Sequence, residues 1–133
     1  MPVGAAVTDL ATCCYRRWTA TLGQPVRTSL TTPKWIDGAE DWPRCWEITP
    51  RWTYFHAGAG EFEDSYLSQL GDYGTKRIAR RLGQIARETG ADRLVLLCWE
   101  WAGPDGGRDR CHRGLWAQWW LESTGEVVPE LSP

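Results

Sequence analysis

A thiol, an imidazole and a guanidinium stand side by side at Cys111-His112-Arg113, and a second thiol and a carboxylate, Cys98 and Glu100, precede them across the stretch Trp101 to Arg110. A cysteine attacks only as its thiolate. In the first turn of a helix a thiol feels roughly half a positive charge from unpaired N–H groups, and His112 and Arg113 add to it, so the thiolate of Cys111 would be populated near neutral pH. On that reading Cys111 is a nucleophile, and His112 or Glu100 is its acid/base partner. The competing reading makes Cys111 a small buried hydrophobe, His112 a capping or core residue and Glu100 a salt-bridge partner of Arg113 or His112. Cys98 is either a resolving thiol for Cys111 or a core residue.

The same stretch suits an anion. Its glycines allow close backbone approach, a helix N-terminus offers N–H donors, and Arg108, Arg110 and Arg113 surround it, an environment for a phosphate or a carboxylate. It is neither a Walker A loop nor a dinucleotide fingerprint. Cys98, Cys111 and His112 are three soft metal ligands, but adjacent residues rarely bind one ion together and no Cys-x-x-Cys spacing occurs. Neither a metal nor a cofactor is expected.

These residues need a strand, a loop and a helix to position them. Leu94 to Cys98 is a continuous apolar run, too short for a buried helix and too apolar for a half-exposed strand, which predicts a central strand of parallel type. Ala-Gly-Pro-Asp-Gly-Gly cannot continue a strand, and Cys111 then opens an amphipathic helix ending near Leu121. In open α/β sheets the crevice beyond the carboxyl ends of the strands is where ligands sit.

Earlier in the chain, Met1 to Asp9 reads as a loose lead-in and Leu10 to Tyr15 as a first strand with Cys13 and Cys14 on opposite faces. Val26 to Leu30 is a second strand by its β-branched content. From Pro33 to Arg51, prolines alternate with Trp35, Trp42 and Trp46, which predicts an ordered but irregular excursion anchored by tryptophans. Long loops of this kind tend to be functional, and Lys34 and Trp35 are placed to come over the crevice, with Trp35 able to stack on a base. Glu61 to Leu70 aligns Phe62, Tyr66, Leu67 and Leu70 on one helical face. Thr75 is the expected N-cap of a second helix with stripe Ile78, Leu82, Ile85 and Ala86, and Gly90 its C′ residue. Arg77, Arg80, Arg81 and Arg87 then form a solvated face. Glu126-Val127-Val128 is expected as a short final strand, with residues 129–133 a frayed tail.

At 133 residues the chain fits one α/β domain, long enough to bury roughly two-thirds of its unfolded surface. A net charge of -2 and an isoelectric point near 5.7 argue against a large duplex nucleic-acid footprint, while single-stranded nucleic acid remains an open partner. No run approaches the ~20 apolar residues that span a bilayer, and the first residues carry no secretory pattern, so no membrane partner and a cytoplasmic location are expected. Five cysteines without a regular framework imply thiols in a reducing compartment. The oligomeric state is not legible.

In order, Val26-Arg-Thr-Ser29, Pro33-Lys34-Trp35, Ile48-Thr-Pro50, the Tyr66 helix, Leu96-Leu97-Cys98-Trp99-Glu100 and Cys111-His112-Arg113 resemble the motifs of domain-of-unknown-function family 488. The resemblance spans about Thr12 to Leu131. It implies a compact, Rossmann-like α/β domain, here with a central, mostly parallel sheet of about four strands flanked by helices, and it implies no reaction. The chain departs from the family in having Trp99 for Tyr and a longer 101–110 loop. The motif positions Ser29, Tyr66, Cys98 and Trp99 join Lys34, Trp35, Arg108, Arg110 and Arg113 as candidate substrate- or anion-binding residues.

Two function classes follow. One is a thiol-dependent enzyme acting on a phosphorylated or nucleotide-like substrate, with Cys111 as nucleophile. The other is a non-catalytic module that uses the same crevice to bind a nucleotide, single-stranded nucleic acid or a protein.

Overall fold

The computed structural model describes residues 9–99 and 112–131. Strands β1 (Asp9–Cys14) and β2 (Gln24–Arg27) come first, then helices α1 (Trp52–Phe55), α2 (Ala59–Tyr73) and α3 (Thr75–Thr89), strand β3 (Arg93–Cys98) and helix α4 (His112–Thr124). The sheet order is β1-β3-β2, and both pairings are parallel, so the apolar run is the central strand its composition predicts. Register pairs Leu10 with Leu94, Thr12 with Leu96 and Cys14 with Cys98 on one side of β3, and Val26 with Leu96 on the other.

Alternation along β3 builds two cores. Leu94 and Leu96 point to a helix-covered face, where Leu10 and Val26 meet Tyr66 and Leu70 of α2, Ile78, Leu82 and Ile85 of α3, and Trp116 and Trp120 of α4. Val95 and Leu97 point the other way, to Cys13 and Tyr15, and are covered by Trp18, Leu22, Ile36, Trp42 and Leu131. Among the described residues the second face is therefore covered by irregular chain rather than by helices. The excursion is anchored there: Trp18 and Trp42 lie 4.8 Å apart, and Arg27 donates two hydrogen bonds to the Trp42 carbonyl.

This architecture is α/β, but the expected four-stranded, Rossmann-like sheet is not what forms. The described sheet has three strands, and Glu126-Val127-Val128 is not a fourth. A parallel bridge does form slightly later, between Thr12 and Glu130, through Thr12 N–H to the Pro129 carbonyl and Leu131 N–H to the Thr12 carbonyl. The rung before it would need an N–H at position 129. Proline has none, so pairing along the edge of β1 stops at one bridge. Glu130, expected within a frayed tail, is thus held to the sheet.

The helices follow their sequence signals closely. The stripe of α3 is buried at Ile78, Leu82, Ile85 and Ala86, and the helix ends at Gly90, whose φ of 69° is the left-handed conformation expected of a C-terminal glycine. Thr75 is the first helical residue rather than the cap. Gly74, at φ 83°, takes the cap position and lets α2 turn directly into α3. In α4 the rings of Trp116 and Trp120 stack at 5.2 Å inside the core.

Candidate functional site

β2 and β3 end together, and the start of α4 closes over their carboxyl ends. Beyond Arg27 the pairing continues: the Thr28 N–H donates to the Leu97 carbonyl at 3.0 Å and its hydroxyl to the same oxygen at 2.8 Å. Nε2 of His112 lies 2.7 Å from the Thr28 carbonyl and 3.2 Å from the Thr28 hydroxyl oxygen. A carbonyl can only accept, so Nε2 carries a proton and donates it there. The edge-on ring of Tyr66, 5.7 Å away, supports the imidazole from α2, while the Tyr66 hydroxyl donates to the Ile48 carbonyl.

His112 forms one wall of a cavity of about 250 Å³ whose other walls are Ser29, Leu30, Thr31, Trp52, Phe55 and Trp99. It sits at the carboxyl edge of the sheet, where the crevice is expected. Trp99 is fixed by a hydrogen bond from its indole N–H to the Thr31 carbonyl at 3.0 Å and by edge contacts with Tyr15 and Trp35. The Ser29 hydroxyl donates to the Thr31 carbonyl at 2.7 Å, which leaves its oxygen to accept from the Tyr15 hydroxyl at 2.5 Å. Burial pushes the Tyr15 phenol up to about 12. The Ser29 hydrogen bond opposes that rise, Cys98 adds to it, and Arg27 and Arg44 oppose it. Tyr15 is therefore a donor at neutral pH.

Arg113 follows His112 in sequence but turns to the helix-covered face of the sheet. Its guanidinium grips Glu130 with both fork atoms, Nε at 2.8 Å and Nη2 at 3.0 Å, and places Nη1 2.9 Å from the sulfur of Cys98. Thr12, on the same face of the neighbouring strand, donates its hydroxyl to Glu130 at 2.7 Å. Both charged side chains are almost fully buried, at 0% and 6% exposure. This is a paired, hydrogen-bonded charge inside the fold, and its guanidinium is matched by a carboxylate.

The structure thus brings Ser29, Trp99 and His112 to one cavity, with Trp35 and Tyr66 packed against its walls. Arg113, on α4, contacts both Cys98 and Glu130. Lys34 is exposed and does not line the cavity. Glu100, Arg108, Arg110 and Cys111 lie outside the described residues, as does Trp101. The described residues hold no cluster of three or more histidine, cysteine, aspartate or glutamate side chains able to hold a metal. Nor do they include a helix long and apolar enough to cross a membrane.

Sequence reasoning missed Trp52 and Phe55, Tyr15 and Thr28, and above all Glu130. The i, i+3 aromatic pair in Trp-Thr-Tyr-Phe was a local signal for the first two. For Glu130 the signal was a lone acid between Val128 and Leu131, apolar residues with no reason to lie in a solvated tail. No family model, no curated protein and no solved structure matches this chain.

Proposed function

We propose that the cavity beside His112 binds a small ligand bearing a flat, uncharged ring, as in a nucleoside or nucleotide. The observation that carries this reading is the composition of the walls. Trp52, Phe55 and Trp99 offer ring surfaces, while Ser29, Thr31 and His112 contribute polar side chains to the same lining. A few polar groups in an aromatic, partly enclosed cleft are what small-molecule sites use for orientation, although about 250 Å³ is just below the usual range of roughly 300–1,000 Å³. Trp52 and Trp99 are also 58% and 39% exposed, more than packing alone requires. The resemblance of the Leu-Cys-Trp-Glu and Cys-His-Arg stretches to family 488 belongs to the same proposal and assigns the cavity to motif residues.

A thiol-dependent reaction on that ligand is the second reading. It is favoured by one fact: Cys111 directly precedes His112, whose ring forms the cavity wall. Here Cys111 is the nucleophile and His112, its neighbour in sequence, the general base. Glu100 is the other candidate acid/base group. The pairing of Arg113 with Glu130 removes one of the charges expected to acidify the thiol.

Calorimetric titration with nucleosides tests the binding reading. Wild-type protein is expected to give saturable heat, and Trp99→Ala to weaken it at least about tenfold, the loss expected when a stacking ring is removed. Equal affinity in Trp99→Ala and Trp52→Ala proteins that still fold would overturn the site. For the thiol reading, iodoacetamide at pH 6 to 7 should label Cys111 before Cys13, Cys14, Cys45 and Cys98, all four of which are buried. A Cys111 labelled only on unfolding ends that reading.

A further inference from the structure

On the sheet face opposite the helices, two arginines stand side by side. Arg27 ends β2, and Arg44 of the excursion forms a parallel bridge with it, so the two side chains leave the same side of the pairing. Arg27 is committed to neutral acceptors: its Nε and Nη2 bind the Trp42 carbonyl at 2.9 and 2.6 Å, and its Nη1 the Thr32 hydroxyl oxygen at 3.1 Å. Arg44 lies with its guanidinium carbon 4.6 Å from the ring centre of Trp46. Its Nε is buried without a hydrogen-bond partner, and among the described residues no carboxylate pairs with either arginine.

This arrangement is unfavourable as it stands. Burial, and then the charge of Arg27, hold Arg44 below its ordinary pKa, with only Tyr15 opposing. Two adjacent cations repel, and a buried donor without an acceptor adds a desolvation cost. Arg77, by contrast, also lies over a ring, that of Tyr73, but has Glu47 at 3.1 Å. An oxyanion placed against the Arg44 guanidinium would relieve the repulsion between the two cations. The Trp46 ring lies below the planar fork and is 48% exposed, and Arg27 and Arg44 are themselves partly exposed.

We propose that Arg44, backed by Arg27 and seated on Trp46, binds an oxyanion of the phosphate class. Two adjacent fixed cations favour a doubly charged phosphate over a singly charged carboxylate, and the guanidinium fork matches its oxygens. This site is built from other residues than the cavity and stands without it. The two share one loop: Ser29 to Thr31 line the cavity, and Thr32 holds Arg27.

The test follows the arginine Nε–H signals of the ¹⁵N-labelled full chain during titration at constant ionic strength. The three arms are inorganic phosphate, adenosine monophosphate and a short oligothymidylate, with chloride as control. A saturable shift of the Arg44 signal with phosphate is expected. The accompanying shift of the neighbouring Arg27 Nε–H signal, which both variants keep, should be lost in Arg44→Gln and weakened roughly tenfold or more in Arg44→Lys, which keeps the charge without the fork. Equal response to phosphate and to the monophosphate identifies the phosphate alone as the ligand, whereas a much tighter oligothymidylate identifies a nucleic-acid backbone as its source. A response no larger than that of chloride overturns the proposal, as does an Arg27 shift that survives Arg44→Gln. If Arg44→Gln does not fold, wild-type affinity in Arg44→Lys overturns it instead. Adenosine, which lacks phosphate, probes the cavity alone, so failure of one site is read separately from failure of the other.

Discussion

Two arginines on opposite faces of one small sheet have opposite circumstances. Arg113 is buried on α4, but its guanidinium is matched by Glu130, by the Cys98 sulfur and, through Glu130, by the Thr12 hydroxyl. Arg44 is half-buried under the irregular cover of the other face, beside a second cation. The contrast separates a charge that belongs to the architecture from one that is available to a ligand. A buried cation with a bidentate carboxylate has its field cancelled within the fold, and removing either member leaves an uncompensated charge. A cation beside another cation keeps its field, and its loss should leave the fold nearly unchanged. Sequence alone pointed to Arg113 for anion binding; the described structure presents Arg44 as the more available cation.

The sharpest way to break this comparison is at Glu130. Glu130→Gln should lower unfolding free energy by about 3–5 kcal/mol, because the Arg113 charge then stays buried without its carboxylate. Replacing both members, as in Arg113→Met with Glu130→Leu, should recover most of that loss. Urea denaturation measures both, and a Glu130→Gln protein as stable as wild type would show that the pair is not the anchor of α4 and the C-terminal segment.

Tyr15 gives the next largest effect. Its folded pKa of about 12 exceeds the ordinary value near 10, so its contribution is fully present below about pH 10 and is lost as pH rises through 12. At about 1.4 kcal/mol per pKa unit, some 2–3 kcal/mol should disappear across that window. Cys45, pushed up to about 12 by burial and then by Glu47, should begin the decline near pH 9 by the same sign. Tyr15→Phe should flatten the upper part of the stability–pH curve. An unchanged slope would place its hydroxyl in solvent.

Thr12→Val removes one donor from Glu130 but leaves Arg113 in place, so a smaller cost of about 1 kcal/mol is expected. The smallest effect belongs to Arg44→Gln. The lost contact with Trp46 and the relieved repulsion from Arg27 oppose one another, and the melting midpoint should move by the equivalent of less than about 1 kcal/mol either way. A large destabilisation there would make Arg44 architectural too and erase the distinction between the two faces.

Much of the α/β framework was legible because its signals are local. Leu94 to Cys98 is apolar on both faces and therefore central, and the stripe of α3 with Gly90 behind it could be little else. The irregular segment from Pro33 to Arg51 was legible as a tryptophan-anchored excursion, and Trp42 does anchor it. The sheet edge was less legible. Whether Val127 and Val128 or Glu130 pairs with β1 depends on which backbone donor meets Leu10 and Thr12, and Pro129 decides it only once the register is known.

The candidate site divides along the same line. Residue types and spacing determined that a strand end, His112 and aromatic residues would share an edge, since parallel strands end together and the next helix must start there. The direction each side chain takes was decided only by tertiary structure. His112 and Arg113 are consecutive, yet one meets Thr28 and the cavity wall and the other meets Cys98 and Glu130. Neighbouring helical positions point about 100° apart at 3.6 residues per turn, and their partners on β2 and the C-terminal segment come from distant parts of the sequence. The bridge between Arg27 and Arg44 is likewise a product of the excursion folding back on β2, a long-range pairing that no local pattern encodes.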